Sequence, residues 1–227
     1  MPNKHTVKLF APDTHYHIYN RGVEKRTLFE DDQDYRFFLY LLKYYLSPLN
    51  QTSRNIPTNI PAYTLVRPRP LNNLEKEIDL LAYCLMPNHF HLLIKQKSQK
   101  GMSKLMKSIG TTYAVYFNKR YNRVGHLFQG IYKAAIIDTD SYLLHLSRYI
   151  HLNPVELTRM NPVDYPYSSY KNYLGTKKSD WVKPNFILNF FNRDKMIPYL
   201  KTYPSYEKFV EGFGKEDEGI LDELTLE

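Results

Sequence analysis

The sequence predicts an α+β fold of the ferredoxin-like or RNA-recognition-like kind, an antiparallel sheet with helices packed on it. Three observations predict it: the element order strand, helix, strand, strand, helix, strand, helix; two apolar runs joined by a Pro-Asn turn; and helical stripes stepping by three and four residues. Residues 15–20, His-Tyr-His-Ile-Tyr-Asn, alternate as a strand does, and Arg21-Gly22 end it. Asp31-Asp32 open a helix over about 32–46, where acids complement the amino-terminal dipole. Its apolar side is Tyr35, Phe38, Leu39, Leu42 and Tyr45, and Ser47-Pro48 stop it. The stretch 47–77 carries Pro48, Pro57, Pro61, Pro68 and Pro70 without periodicity and reads as an irregular insertion.

Ile78–Met86 reads as a buried strand, Pro87-Asn88 as a tight turn and His89–Lys95 as the returning strand. A helix follows over about 102–120, with Met102, Leu105, Met106, Ile109, Tyr113, Tyr116 and Phe117 on one side. That placement makes Tyr113 and Tyr116 core residues. Tyr121–Gly125 is a basic loop, Ile131–Ile137 a strand, and Ser141–Asn153 a helix closed by Pro154, since a proline disfavours helical geometry in the residue before it. The main domain is thus expected over 1–160. A small accessory region over 161–210 carries short helices near 184–192 and 204–213, and an acidic tail fills 211–227.

Charge divides unevenly along the 227 residues, which carry +8 in all. From Glu211 onward seven acids face Lys215 alone, so the first 210 residues hold a net +14. A basic body with an acidic tail suits a polyanionic partner. A single cysteine, Cys84, excludes an internal disulfide framework and a cysteine-based zinc site, and its apolar surroundings suit a buried thiol. No stretch reads as a signal peptide, and no apolar run reaches the ~20 residues needed to span a bilayer. An intracellular, cytoplasmic protein is therefore expected.

The chemistry concentrates in Pro87-Asn88-His89-Phe90-His91. Side chains at i and i+2 of a strand share a face, so His89 and His91 project together and Phe90 enters the opposite layer. Two imidazoles at that spacing can ligate one divalent cation. A bare His-x-His is more often a polar pair on a solvent-facing strand. Tyr149 and Asn153 stand four apart on the last strong helix, hence one turn apart on one face. If that face lies beside the sheet, the Asn153 amide oxygen reaches the metal and the Tyr149 hydroxyl reaches a bound phosphate. On spacing alone, Tyr149 is more readily one more core aromatic and Asn153 a helix end. His15, His17, His145 and His151 show no comparable arrangement; His145 lies one turn before Tyr149 on the same face, within reach of a proton-transfer role that its spacing alone does not support. Lys104, Lys107, Lys119, Arg120, Arg123 and Lys133 are candidate phosphate contacts, each equally readable as a solvated charge.

In order along the chain, H-Y-H-I-Y-N-R-G, Y-C-L-M-P-N-H-F-H-L-L-I, Y-A-V-Y-F-N-K-R, G-H-L-F-Q-G-I-Y-K-A, R-Y-I-H-L-N-P-V-E and Y-P-Y-S-S-Y, from about His15 to Tyr173, resemble the REP-associated tyrosine transposases. These belong to the single-tyrosine HUH transposases of small insertion sequences. The resemblance implies the HUH single-tyrosine architecture, with Mg²⁺ or Mn²⁺ held by His89, His91 and Asn153 and Tyr149 as nucleophile. It implies a substrate of single-stranded DNA beside an imperfect hairpin, cleaved to a 5′-phosphotyrosine and a free 3′-OH. It also favours a monomer over a dimer and a nucleoid association when DNA is bound. One departure is Ile131, where the family usually has Arg after the Gln-Gly pair. Two other functions compete: a catalytically quiet hairpin-binding protein, and a metal-dependent phosphodiesterase that uses water and does not need Tyr149.

Overall fold

The computed structural model describes residues 11–48, 73–192 and 198–213. The 49–72 part of the expected insertion and the tail beyond 213 lie outside the described residues. Four strands, β1 (Thr14–Arg21), β2 (Ile78–Met86), β3 (His89–Gln96) and β4 (Lys133–Ile137), form one antiparallel sheet in the order β2-β3-β1-β4. Between them run α1 (Asp32–Leu46) after β1, α2 (Gly101–Arg120) after β3 and α3 (Asp140–Thr158) after β4. This is the order and pairing of a ferredoxin-like sheet.

Period-two burial divides the sheet into two faces. Tyr16 and Ile18 of β1 and Phe90, Leu92 and Ile94 of β3 join one core with the apolar sides of α1 and α2. Leu93 of β3 and Ala82, Cys84 and Met86 of β2 join a second core with Leu143, Leu144, Leu146 and Ile150 of α3. A register shift between Leu80 and Ala82 lets both Leu81 and Ala82 enter the second core. Cys84 is fully buried there, as its surroundings in sequence suggest. Tyr113 and Tyr116 are buried under α1, their hydroxyls donating to the Leu28 carbonyl (2.6 Å) and the Asp34 carboxylate (2.7 Å).

α1 begins where the sequence places it, because the Asp31 carboxylate caps the Gln33 and Asp34 amides. Two boundaries differ from expectation. Strand β4 starts at Lys133, and Ile131 stays outside it, mostly exposed. Helix α3 does not close at Asn153 but runs through Pro154 to Thr158, where Arg159 takes a left-handed conformation with φ 56° and donates to the Val155 carbonyl. A helix-interior proline lacks one N–H. Here the buried side of α3 holds the helix to the sheet across that gap, and the Thr158 hydroxyl returns to the Pro154 carbonyl at 2.6 Å.

Beyond α3 the chain folds back onto β2. Ser168 bridges Cys84, Val182 bridges Leu80, and the short helices α4 (Tyr170–Tyr173), α5 (Asn185–Leu188) and α6 (Tyr206–Glu211) supply Tyr170, Tyr173, Ile187, Tyr206 and Phe209 to the α3 core. The two last helices fall within the expected segments. No helix among the described residues is long and apolar enough to cross a membrane.

Candidate active site

The turn Pro87-Asn88 sets the site at one end of β3. It is clamped from outside the hairpin: Gly22 N–H donates to Asn88 O, and the Leu28 and Phe29 amides both donate to Pro87 O. His89 and His91 then stand on the face toward α3, opposite Arg21 and Tyr19 of β1 and Met86 and Cys84 of β2. Their rings are 4.9 Å apart at 87°. From α3, Tyr149 packs its ring edge-on against His91 at 5.5 Å, and Asn153 brings Oδ1 to 3.1 Å from His89 Nε2. All four side chains selected in the sequence therefore meet in one place.

The polar atoms there fit a cation. His91 is only 7% exposed, and its Nε2 is buried with no hydrogen-bond partner among the described residues. Burial first, then the neighbouring His89 and His17, push its pKa well below the usual histidine value, so it presents a neutral lone pair. His91 Nδ1 lies 2.8 Å from Nε2 of His17 on β1. His17 is itself held neutral, its pKa pushed down to about 3 by burial. With His91 Nδ1–H donating to His17 Nε2, the buried His91 Nε2 is left as a lone pair. His89 is arranged alike: Nδ1 is 2.7 Å from Asn88 Oδ1, so donation there leaves Nε2 as a lone pair facing the Asn153 oxygen. Two acceptors at 3.1 Å repel when nothing lies between their lone pairs. Adjacent donors of an octahedral cation with bonds of ~2.1 Å stand about 3.0 Å apart. The donor set is thus two imidazoles and an amide oxygen; among the described residues, no group of three or more His, Cys, Asp or Glu forms a metal cluster.

His17 corrects the sequence reading, which gave it no partner. The signal was present as alternation in His-Tyr-His, but strand parity does not reveal which neighbouring strand supplies the contact. His145 and His151 are also engaged rather than idle. His145 Nδ1 lies 2.7 Å from Arg148, whose guanidinium stacks on Phe209 at 4.3 Å, so its ring turns toward α6 and away from a proton-transfer role at Tyr149. His151 bridges Tyr206 and Ser169, both contacts at 2.8 Å, and fastens the returning chain to α3.

The six candidate phosphate contacts scatter. Lys133 lies on the site face, its ammonium 5.5 Å from the Tyr19 ring. Lys104, Lys107, Lys119 and Arg120 belong to α2, on the far face of the sheet. Lys104 pairs with Glu77 at 2.8 Å. Arg120 binds the Asp31 and Asp34 carboxylates at 2.5 and 2.6 Å, and Arg123 donates to Asn118 at 3.0 Å. Arg21, which the sequence reading did not select, pairs with His89 across β1 and β3 and is held by the Gln129 side chain.

The family model described as "Transposase IS200 like" matches residues 72–153, from the approach to β2 through Asn153. That segment is similar to the IS200-like transposases. It holds both histidines, Tyr149 and Asn153, whereas His17 lies before it. A solved structure titled as a REP-associated tyrosine transposase bound to a REP hairpin is similar with a TM-score of 0.50 and 15% identity, over 77% of this chain and 88% of that one. At that identity the likeness establishes the shared fold, the four-stranded antiparallel sheet with helices packed on it. No curated protein matches the sequence. Within the matched segment, β3 carries His89 and His91, and α3 carries Tyr149 and Asn153.

Proposed function

We propose that this protein cleaves and rejoins single-stranded DNA beside an imperfect hairpin, with Tyr149 as nucleophile and Mg²⁺ or Mn²⁺ held by His89, His91 and Asn153. The observation that carries the reading is the convergence of these four side chains, with His91 Nε2 buried and without a hydrogen-bond partner among the described residues and His89 Nε2 facing an acceptor. The IS200-like segment and the hairpin named in the similar structure support the choice of substrate.

The chain's residues divide the work. Tyr149 Oη attacks the scissile phosphorus; the P–O3′ bond breaks, the phenol loses its proton and the departing 3′ oxygen gains one. The product is a 5′-phosphotyrosine and a free 3′-OH. A phenol with an ordinary pKa near ~10 is a poor nucleophile at neutral pH, so electrophilic help at phosphorus is needed. A bound divalent cation supplies it by offsetting charge on the phosphate oxygens. Packing against His91 holds the Tyr149 ring, and its place one turn before Asn153 fixes the hydroxyl relative to the donor set. Arg21 and Lys133 lie on the same face, positioned to meet the flanking phosphates. The covalent link conserves the bond energy, so a 3′-OH reverses the step and joins a new end.

Incubation with Mn²⁺ and an end-labelled hairpin oligonucleotide tests this. A denaturant-resistant adduct is expected, absent from Tyr149→Phe and His89→Ala. Cleavage that persists in Tyr149→Phe identifies a water-using phosphodiesterase, and binding without cleavage identifies a quiet binder.

A further inference from the structure

Around the sheet, many basic side chains have acidic partners: Lys95 with Asp13, Lys97 with Asp79, Lys104 with Glu77, Arg120 with Asp31 and Asp34. The lysines at the outer edge of β2 do not. Lys43 of α1 and Lys177 and Lys178 of the loop after α4 line one open depression of about 620 Å³ with Ser179, Asp180 and Trp181. Among the described residues none of these three lysines is paired with a carboxylate, and Asp180 is the one acid in the lining.

The loop is built to hold this charge in place. Lys177 N–H donates to the Lys171 carbonyl at 3.0 Å across a turn in which Gly175 takes φ +72°, which brings two lysines together. Lys177 is half-buried with its ammonium 3.5 Å from the Tyr83 hydroxyl; burial and then Lys171 push its pKa down. The Ser179 hydroxyl accepts from Asn172 at 2.9 Å, and Lys183 N–H donates to Leu80 O at 2.8 Å, fixing the loop to β2. Like charges held together at partial burial raise the free energy of the empty surface and favour an anion that neutralises them. Trp181 is 7% exposed and stacked on Tyr83 at 5.4 Å, so it offers no open face for a base. The contact on offer is to phosphate.

We propose that Lys43, Lys177 and Lys178 dock the phosphate backbone of the DNA hairpin stem, an inference that rests on the transposase reading. Charge agrees with that occupant, three lysines standing against one acid in the lining. Tyr83, which anchors Lys177, is followed by Cys84, the residue paired with His91. The patch therefore sits at the β2 edge of the sheet on the α1 side, the face opposite the cation donors, and a stem adjoining the cleaved strand reaches it around that edge.

The test is fluorescence anisotropy of a labelled hairpin with a single-stranded flank, titrated against salt, for wild type and the triple variant Lys43→Gln, Lys177→Gln, Lys178→Gln. Each phosphate contact contributes about −0.9 to the slope of log K against log salt on duplex DNA, so the variant's slope is expected to be shallower by about 2.7. The triple Lys→Arg variant keeps the wild-type slope, which separates charge from shape, and melting by circular dichroism verifies that both variants fold. A slope equal to the wild type's in the Gln variant overturns the proposal, as does an equal change on the flank without its hairpin. Adduct formation by the wild type is scored separately. An adduct with no slope change leaves the transposase reading standing and removes the patch; a slope change with no adduct does the reverse.

Discussion

Replacing His17 by phenylalanine tests whether the second layer of the site sets the first. His17 is 2% exposed and its Nε2 lies 2.8 Å from His91 Nδ1. Phenylalanine keeps a ring of similar size beside His91 and Tyr19 but removes the acceptor. The His91 Nδ1–H then has lost its partner in a buried place, a cost of about 1–3 kcal/mol. The proton is then no longer held on Nδ1, and the Nε2–H tautomer, which abolishes the lone pair offered to the cation, becomes accessible. Loss of such outer partners weakens metal binding by about 10–100-fold, equivalent to about 1.4–2.7 kcal/mol. Mn²⁺ titration followed by electron paramagnetic resonance reads this directly, without DNA or turnover. His17→Gln keeps an acceptor oxygen and is expected to recover most of the lost affinity. If His17→Phe binds Mn²⁺ as tightly as wild type, or glutamine restores no more than phenylalanine, the hydrogen bond does not orient His91 and the account of the site is wrong.

Two further outcomes probe the frame that carries the site. Arg120→Ala leaves the fully buried Asp34 carboxylate with the Tyr116 and Tyr121 hydroxyls and the Glu30 amide as its partners among the described residues; stripping one member of a buried ion pair costs about 3–5 kcal/mol, read as a lower urea midpoint. A loss under about 1 kcal/mol with weaker DNA binding would instead make Arg120 a phosphate contact. Gly22→Ala puts a Cβ 2.2 Å from the Arg26 carbonyl, within the loop that clamps Pro87 and Asn88; about 1–3 kcal/mol of stability is expected to be lost, with weaker Mn²⁺ binding because the turn before His89 shifts.

Much of the frame was legible because it is local. Alternation assigned Phe90 to one layer and both histidines to the other, and the structure places Phe90 in the α1 core and the histidines toward α3. Acids before Tyr35 marked the start of α1, and the Asp31 cap is where they indicated. Pro154 misled for the same reason: the rule that a proline ends a helix describes an isolated segment, whereas α3 is held by its buried side. The α2 cations looked alike in sequence, yet Lys104 and Arg120 are bound to Glu77, Asp31 and Asp34, residues distant along the chain.

By itself the sequence determined the parities: His89 beside His91 on a strand, Tyr149 one turn before Asn153 on a helix, and the turn between β2 and β3. Those follow from backbone repeats of two and 3.6 residues and need no knowledge of the rest of the chain. Only the tertiary structure decided that α3 lies on the histidine side of the sheet, that His17 is the partner of His91, and that Lys43, Lys177 and Lys178 gather at the edge of β2. Each of these joins segments 74 or more residues apart or surfaces on different elements. Such choices are made by strand order and by which apolar faces bury one another, quantities that no local periodicity contains.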